Sequence, residues 1–402
     1  MRDLTVRTSI LLLIAALCGC QHASDTETPA KAASGMRVQT ASIEAAAPAE
    51  KQPQIDLAAL PDSAITPYTI GSEDYVRTDL MPLFSDTNGY SQKWEFILFT
   101  RPYGGRVKFE INNLAFSKFE GKVRGYVTRY DPDGTSTEYR IAEVFKNGTY
   151  TLDKDRLALH FGKYSLVLSG TTFHLQGVFE HGDFEYDIPL HPWKPGTGDV
   201  YFGNDPKKVF KYSVLTYHQP VTRGVFRVGG EAIPVTGQAY GNHYATALPV
   251  YDMFDEVADF RHRTDDLLVE FRYYVPSNKF NAPPFGFLFA AYQGEPVFES
   301  TLITRTTLDT WLDDANYNYE IDARQRIEAI SGTNRATLEM LTAAPTSKDF
   351  YDGLPAFQRN IAMRFAKPIE YNIMIDWTLD LSVDGLQAHI PSSGKYCLTR
   401  LR

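Results

Sequence analysis

Short runs of alternating apolar and polar residues, broken by turn signals about every 8–12 residues, fill the chain from residue 67 onward. Residues 122–130 and 136–145 are clear examples, and the segment DPDG at 131–134 between them is a strong turn signal. Proline presets φ in such a turn and glycine supplies a positive φ. A period of two places successive side chains on opposite faces of a strand. The pattern therefore predicts an all-β fold of antiparallel hairpins.

Two consecutive β-barrel units account for this length of patterned sequence. A stretch rich in glycine and proline at 193–198 (WKPGTG), followed by GNDP at 203–206, indicates the end of the first unit. We predict a first unit at 65–215 and a second at 216–402, because short strands at this spacing are typical of barrels and sandwiches. Helical patterns are few, and residues 307–314 are expected to form one or two helical turns.

The amino terminus resembles that of a bacterial lipoprotein. Arg2 and Arg7 precede an apolar run at 9–17, which is too short to span a bilayer. The residues LCGC at 17–20 resemble the bacterial lipobox. This resemblance implies a signal peptide at 1–19, diacylglycerol on Cys20 and a further acyl chain such as palmitate on the new amino terminus. The alternative is an ordinary signal peptide with two incidental cysteines.

A lipid on Cys20 would anchor the protein to a membrane of the bacterial cell envelope. Gln21 resembles an outer-membrane sorting signal, so we expect the outer membrane, with the body facing the periplasm. Residues 20–64 are rich in Ala, Pro, Thr, Ser, Glu and Gln, which indicates a flexible tether. Cys397 would then remain as the sole thiol, which leaves no disulfide framework and no cysteine-based metal site.

Charge and motif content argue against several functions. The net charge is −9 and the chain has no basic stripe, so nucleic-acid binding is not expected. There is no G-x-S-x-G elbow, no P-loop and no dinucleotide-binding glycine motif, and we expect no cofactor. Four histidines lack the spacing of metal ligands, so no metal is expected. They are His160, His174, His181 and His191.

Three short motifs resemble those of a known family. WKPGTG at 193–198 with FG at 202–203 closes the first unit, GQAYGNH lies at 237–243, and KWEF at 93–96 with residues 109–114 opens the first unit. Together they resemble the tandem lipocalin-like family. That family includes the carotenoid 1,2-hydratases (hydroxyneurosporene synthases), the fungal survival-factor proteins and the attachment-locus lipocalin-like proteins. The resemblance covers residues 67–402.

This resemblance implies two lipocalin-like barrels, with a lipophilic ligand inside a barrel or between the two units. The hydratase members add water to an isoprenoid double bond, and the survival-factor members resemble lipid carriers. The hydratases have an acid in a Tyr-x-Asp-His pattern, where this chain has Asn242. A carboxylic acid can donate a proton to an alkene and an amide cannot. The departure therefore argues against hydratase chemistry.

The strongest candidate site is the segment YGNHY at 240–244. Its candidate catalytic residues are Tyr240 and His243, because a hydroxyl and an imidazole can transfer protons, and Asn242 and Tyr244 are candidate ligand contacts. Four acids and an arginine follow: Asp252, Asp255, Glu256, Asp259 and Arg261. Two alternatives to catalysis remain open. The segment can contact a ligand without chemistry, or His243 can end a strand and bond a backbone carbonyl.

Four further residues are candidate ligand contacts. Glu270 and Arg272 share one face of a predicted strand. If that face lines a barrel, the two must pair, because an unpaired buried charge is costly, and they would hold a polar head group. If the face is outward or at the rim, which we favour, they are surface charges. Trp94 and Trp193 are candidate ligand platforms, although core positions are more usual for tryptophan.

The leading hypothesis is a membrane-anchored protein that binds or carries a lipophilic small molecule, such as a lipid or an isoprenoid. The alternative is an enzyme on an isoprenoid or polyene, namely a hydratase, isomerase or cyclase with acid–base residues near Tyr240 and His243. A third hypothesis is a structural or adhesive surface protein made of two packed sandwiches without a cavity.

Overall fold

The computed structural model of the protein describes residues 90–401, apart from 114–119, 147–148, 154–156, 192–195, 204–207, 314–317, 350–356, 358, 361–362 and 364–366. The predicted signal peptide, the predicted tether with Cys20, and Trp193 lie outside the described residues. Among the residues that are described, no helix has the length and apolarity needed to cross a bilayer.

The described secondary structure is almost entirely β-strand, which confirms the all-β prediction. It also contains a short helix, α1 (Val250–Met253), and a 3-10 turn at Asn278–Phe280. Strands are numbered along the chain and form three antiparallel sheets.

Sheet 1 has the strand order β10 (Gly196–Tyr201), β11 (Val209–Pro220), β14 (Thr236–Thr246), β1 (Tyr90–Arg101), β2 (Tyr103–Asn113), β3 (Glu120–Tyr130) and β4 (Ser136–Lys146). Sheet 2 has the order β13 (Glu231–Pro234), β12 (Arg223–Val228), β9 (Gly182–Pro189), β8 (Thr172–Phe179), β7 (Tyr164–Ser169), β6 (Ala158–Phe161) and β5 (Tyr150–Leu152). Sheet 3 has the order β18 (Glu295–Ser300), β17 (Phe285–Tyr292), β16 (Leu267–Pro276), β15 (Phe254–Arg263), β23 (Leu386–Arg400), β22 (Ile369–Val383), β21 (Asn334–Asp349), β20 (Tyr319–Ser331) and β19 (Leu302–Asp313).

Sheets 1 and 2 pack face to face and form the first unit. Alternate residues of β1, including Phe96, point between the sheets, and the Phe96 ring meets that of Phe173 on β8 at 5.2 Å between centroids. Burying one such side chain contributes about 1.5–3 kcal/mol. The predicted turn at 131–134 joins β3 to β4, and Gly134 has the expected positive φ of 87°.

Sheet 3 forms the second unit and curls back on itself. Strands β17 and β18 at one end of the sheet contact β19 and β20 at the other end. The enclosed core includes Phe260, Phe271, Leu338 and Ile373, one from each of four strands. The described residues therefore form two consecutive β units with barrel-like curvature, as predicted.

The sheets divide the chain at a different place from the predicted boundary of 215/216. Strands β11 to β14 all belong to sheets 1 and 2, and β14 lies between β11 and β1 near the middle of sheet 1. The division falls instead between Thr246 and Phe254. The glycine- and proline-rich segment at 193–206 misled the prediction, because turn composition marks a break between strands without indicating which strands pair across it.

The structure also differs from two smaller predictions. Residues 307–313 continue strand β19, in which Trp311 pairs with Ile321, and they form no helical turn. Cys397 is disulfide-bonded in the structure, which differs from the thiol expected if residues 1–19 are removed and Cys20 carries a lipid. The other two cysteines, Cys18 and Cys20, lie outside the described residues.

The two units meet along the outer faces of sheets 1 and 3. Strand β14 turns Tyr240 toward the second unit, β11 contributes Phe210 and Tyr217, and sheet 3 contributes Phe287 and Phe289. The Tyr217 and Phe289 rings meet edge to face at 5.1 Å between centroids. This buried layer holds the units together and surrounds the candidate site.

Candidate functional site

A cavity of about 90 Å³ lies between the two units. Its described lining contains five cations and two carboxylates, which are Lys93, Arg106, Lys108, Arg261 and Arg272, and Glu95 and Asp259. It also contains aromatic and aliphatic side chains, among them Phe210, Tyr212, Tyr244, Phe254, Tyr274, Val250 and Val257. Excess positive charge beside apolar rings is an unusual lining in a chain whose net charge is −9.

Strand register brings the first unit's polar residues to the cavity. Strands β1 and β14 pair so that Glu95 is opposite Asn242 and Lys93 is opposite Tyr244. The Asn242 amide donates to Glu95 Oε2 at 3.0 Å, and the Lys93 ammonium lies 5.3 Å from the centre of the Tyr244 ring. Directly opposed residues in antiparallel strands are close enough to interact in this way.

The Glu95 carboxylate is held ionised by its neighbours. It accepts hydrogen bonds from the Arg106 guanidinium on β2. Burial acts to raise the pKa of Glu95, but the charges of Arg106, Lys108 and Arg261, together with the Asn242 amide, outweigh it and hold the pKa well below its usual range. Glu95 therefore neutralises part of the positive lining at neutral pH.

Register also builds the second unit's side of the cavity. Strands β15 and β16 place Asp259 opposite Arg272 and Arg261 opposite Glu270. The Arg272 guanidinium donates to Glu270 Oε1 at 2.9 Å and contacts Asp259 Oδ2 at 3.0 Å. It also stacks over the Tyr212 ring at 3.8 Å, which joins the second unit to the first.

Glu270 is completely buried and sits directly behind the cavity lining. It accepts hydrogen bonds from two hydroxyls of the first unit, Tyr212 at 2.7 Å and Tyr240 at 2.8 Å. The two hydroxyl oxygens lie 2.9 Å apart. Burial raises the pKa of Tyr240 well above its usual value, so this hydroxyl stays protonated and donates. The network links the units through a carboxylate whose hydrogen-bonding needs are met.

Two cavity-lining groups have buried atoms without a hydrogen bond. Asp259 Oδ1 and Arg261 Nη1 are both buried and make no hydrogen bond in the structure. Burial raises the pKa of Asp259, an effect that exceeds the opposing charges of Arg272 and Arg261. Arg261 stacks over the Tyr240 ring at 4.3 Å and makes no ion pair among the described residues. Each of these two cavity-lining side chains therefore has one buried polar atom whose hydrogen-bonding capacity is unused.

The predicted catalytic residues Tyr240 and His243 lie on opposite faces of β14. Tyr240 faces the second unit, whereas His243 is fully buried inside the first unit. His243 Nε2 contacts the Gln92 amide nitrogen at 2.7 Å, and its ring stacks on Trp94 at 5.0 Å between centroids. Residues three apart on a strand point in opposite directions, so the structure does not bring this pair together.

The structure brings together five of the predicted site residues. Asn242, Tyr244 and Arg272 line the cavity, and Tyr240 and Glu270 lie beside it. Trp94 lies in the core of the first unit. The expectation that Glu270 and Arg272 lie on an outward or rim face is wrong, because their face of β16 packs against the first unit.

Sequence reasoning missed the contributions of β1 and β2. Lys93, Glu95, Arg106 and Lys108 all line the cavity. Each alternates with an apolar residue that points into the first core, such as Trp94 and Phe109. The available signal was a strand with one charged face and one strongly apolar face. This pattern does not show whether the charged face contacts solvent or a second unit.

No family model matches the chain, and no curated protein matches it. Membership of the tandem lipocalin-like family therefore stays a prediction. Solved structures that resemble the chain include a proposed AttH (NE1406) from Nitrosomonas europaea, at 12% identity and a TM-score of 0.46 over 81% of this chain and 97% of that one. CghA with Sch210972 matches at 10% identity and a TM-score of 0.44, over 84% and 98% of the two chains. Kievitone hydratase from Nectria haematococca matches at 12% identity and a TM-score of 0.40, over 85% and 97%. Similarity at this level says nothing about a ligand or a reaction of this chain.

Proposed function

We propose that the protein binds a lipophilic small molecule at the cavity between its two β units. The observation that carries the proposal is the joint lining of that cavity, in which aromatic and aliphatic side chains adjoin buried groups with unused hydrogen-bonding atoms. Ligand sites commonly combine an apolar lining with a few placed polar groups, and they often lie at domain interfaces. The site is thus suited to an amphiphilic molecule.

The size of the cavity limits which part of the ligand it encloses. Its 90 Å³ is well below the volume of about 300–1,000 Å³ that is usual for a site that takes up a whole drug-sized ligand. A polar end group fits the enclosed space, and a long apolar chain must lie along Phe210, Phe254 and the other apolar lining residues.

Native extraction tests the binding function. The full protein is purified from its membrane fraction without denaturation, and lipids that copurify are identified by mass spectrometry. We expect one lipid class to be enriched over the bulk membrane, and bound hydrophobic fluorescent probes to be displaced by it. Absence of both enrichment and probe uptake contradicts the proposal.

Acid–base catalysis on a polyene or isoprenoid is the second candidate function, and the state of Asp259 favours it. A buried carboxyl group with a raised pKa, on a side chain that lines a cavity, can give a proton to a substrate. If the protein is such an enzyme, Asp259 is the acid–base catalyst, the role that the sequence analysis gave to Tyr240 and His243. The test incubates the protein with polyenes in deuterated water. Deuterium incorporation that Asp259→Asn abolishes supports the reaction, and no incorporation with any polyene contradicts it.

We propose in addition that Cys20 carries a lipid that holds the protein at the bacterial outer membrane, facing the periplasm. The support is the lipobox-like sequence at 17–20. Mass spectrometry of non-reduced peptides tests it, because one sulfur cannot carry both a diacylglycerol and a disulfide. An acylated Cys20 peptide supports the anchor, and a Cys20–Cys397 disulfide peptide contradicts it.

A further inference from the structure

The cavity between the units carries more positive than negative side chains, and three of its five cations form ion pairs with carboxylates. Arg106 pairs with Glu95, Lys108 pairs with Glu110 at 2.7 Å, and Arg272 pairs with Asp259 and Glu270. Arg261 makes no such pair among the described residues, and its Nη1 is buried without a hydrogen bond. Glu95, Asp259 and Glu270 are near enough to interact electrostatically with Arg261, but no described residue forms an ion pair with its guanidinium, which is therefore open to direct pairing with an anion from outside the chain.

We infer that the cavity binds the oxyanion end group of an amphiphile, a carboxylate or a phosphate, with Arg261 as its charge partner. The inference rests on the proposed lipid-binding function and specifies the ligand's head group. A guanidinium donates N–H groups in a fixed plane that suits carboxylate and phosphate oxygens.

Asp259 supports the same ligand. It lies two residues before Arg261 on β15, on the same face, and lines the same cavity. Asp259 is 7% exposed, and its Oδ1 makes no hydrogen bond. Because burial raises the pKa of Asp259, its carboxyl group can hold a proton and donate it to a bound anion. An oxyanion in the cavity would have both side chains as neighbours.

Arg261 is held in place before any ligand arrives. Its guanidinium lies 4.3 Å from the centre of the Tyr240 ring, and the Tyr240 hydroxyl is fixed by its hydrogen bond to Glu270. A positioned cation loses little side-chain entropy on binding, which favours affinity. The tyrosine–glutamate network thus supports a binding residue and need not contact the ligand.

Calorimetric titration of the full protein with matched amphiphiles tests the inference. Dodecanoate and dodecyl phosphate supply two oxyanions on one chain length, dodecanol supplies the chain without charge, and acetate and inorganic phosphate supply the anions without the chain. We expect either anionic amphiphile to bind at least about tenfold more tightly than dodecanol. Which anion binds more tightly identifies the head-group class.

Variants assign the effect to Arg261. Arg261→Gln should weaken binding of the anionic amphiphile at least about tenfold while leaving dodecanol binding unchanged, and Arg261→Lys should recover part of the loss. Arg263→Gln is the matched control, because Arg263 lies on the same face of β15 but does not line the cavity. It should leave both affinities unchanged.

Each alternative outcome is distinct. Equal binding of dodecanoate, dodecyl phosphate and dodecanol by the unaltered protein overturns the oxyanion inference and leaves lipid binding standing, even if Arg261→Gln fails to fold. No binding of any amphiphile overturns the proposed function itself. Acetate or inorganic phosphate that binds as tightly as its dodecyl counterpart shows a site for a free anion and also overturns the lipophilic part.

Discussion

The Tyr240 hydroxyl of the first unit donates a hydrogen bond to Glu270 Oε2 of the second unit at 2.8 Å. Glu270 is fully buried and is also bonded by Tyr212 and Arg272. The contact fixes how the two units face each other at the cavity. We therefore expect that removing this hydrogen bond lowers the stability of the interface between the units.

We expect Tyr240→Phe to lower the free energy of unfolding by about 1.5–3 kcal/mol, the usual contribution of a hydrogen bond to a charged group. Glu270→Gln should cost more, because Arg272 then loses one of its two carboxylate partners. Urea titrations of both variants and of the double variant give the coupling energy. A coupling energy near zero contradicts the direct contact.

His243→Ala should separate stability from binding. We expect a loss of about 1–3 kcal/mol in unfolding free energy, because the ring stacks on Trp94 inside the first core. The affinity for dodecanoate should not change, since His243 points away from the cavity. A tenfold loss of affinity in a variant that remains folded would show that the site extends through sheet 1.

The second unit contains a buried ion cluster and a partly exposed ion pair. Breaking the cluster should cost more stability than breaking the exposed pair. Arg305 contacts Glu256 and Asp322 inside the curled sheet. Arg305→Met should destabilise the protein by about 3–5 kcal/mol, because it leaves buried Asp322 without its cation and buried Glu256 with Arg400 alone. The matched control, Arg326→Met, breaks a partly exposed pair with Glu339 and should cost less than about 1 kcal/mol. The prediction is contradicted if the two variants lose similar amounts of stability in thermal or urea unfolding.

Acid should destabilise the junction between the units through His218. Burial, with the nearby charge of Arg263, lowers the pKa of His218 to about 4, while an unfolded histidine titrates near 6.5. The unfolded state therefore takes up the proton first, and stability falls as pH drops from about 6.5 toward 4. Below the folded pKa this contribution levels off.

His218→Asn checks this assignment, because asparagine tolerates the positive φ of 50° at this position. The variant should show a smaller difference between its urea midpoints at about pH 7.5 and about pH 5 than the unaltered protein. His262, whose pKa burial also lowers to about 4, should supply much of the remaining dependence. An unchanged pH dependence in His218→Asn rules out His218 as a contributor.

The strand content could be predicted from local patterns, and the pairing of distant strands could not. Period-two alternation and the turn at 131–134 correctly gave β3, β4 and the hairpin between them. The prediction of one site from Tyr240 and His243 used closeness in sequence, although a strand turns residues three apart to opposite faces. Glu95 meets Asn242 only because β1 pairs with β14, 147 residues later. No local signal encodes that register.

The place of β14 in sheet 1 has a consequence for how the chain acquires its shape. This strand fills the position between β1 and β11, so the sheet that begins at Tyr90 cannot be completed until Thr246 is available. Contacts between such distant segments make folding slow, because a long loop must close before they form. A chain ending at residue 215 would keep most of the first core but lack β14, the strand that joins β11 to β1. Such a fragment should stay open and prone to aggregate, whereas one ending after Thr246 contains every strand of sheets 1 and 2.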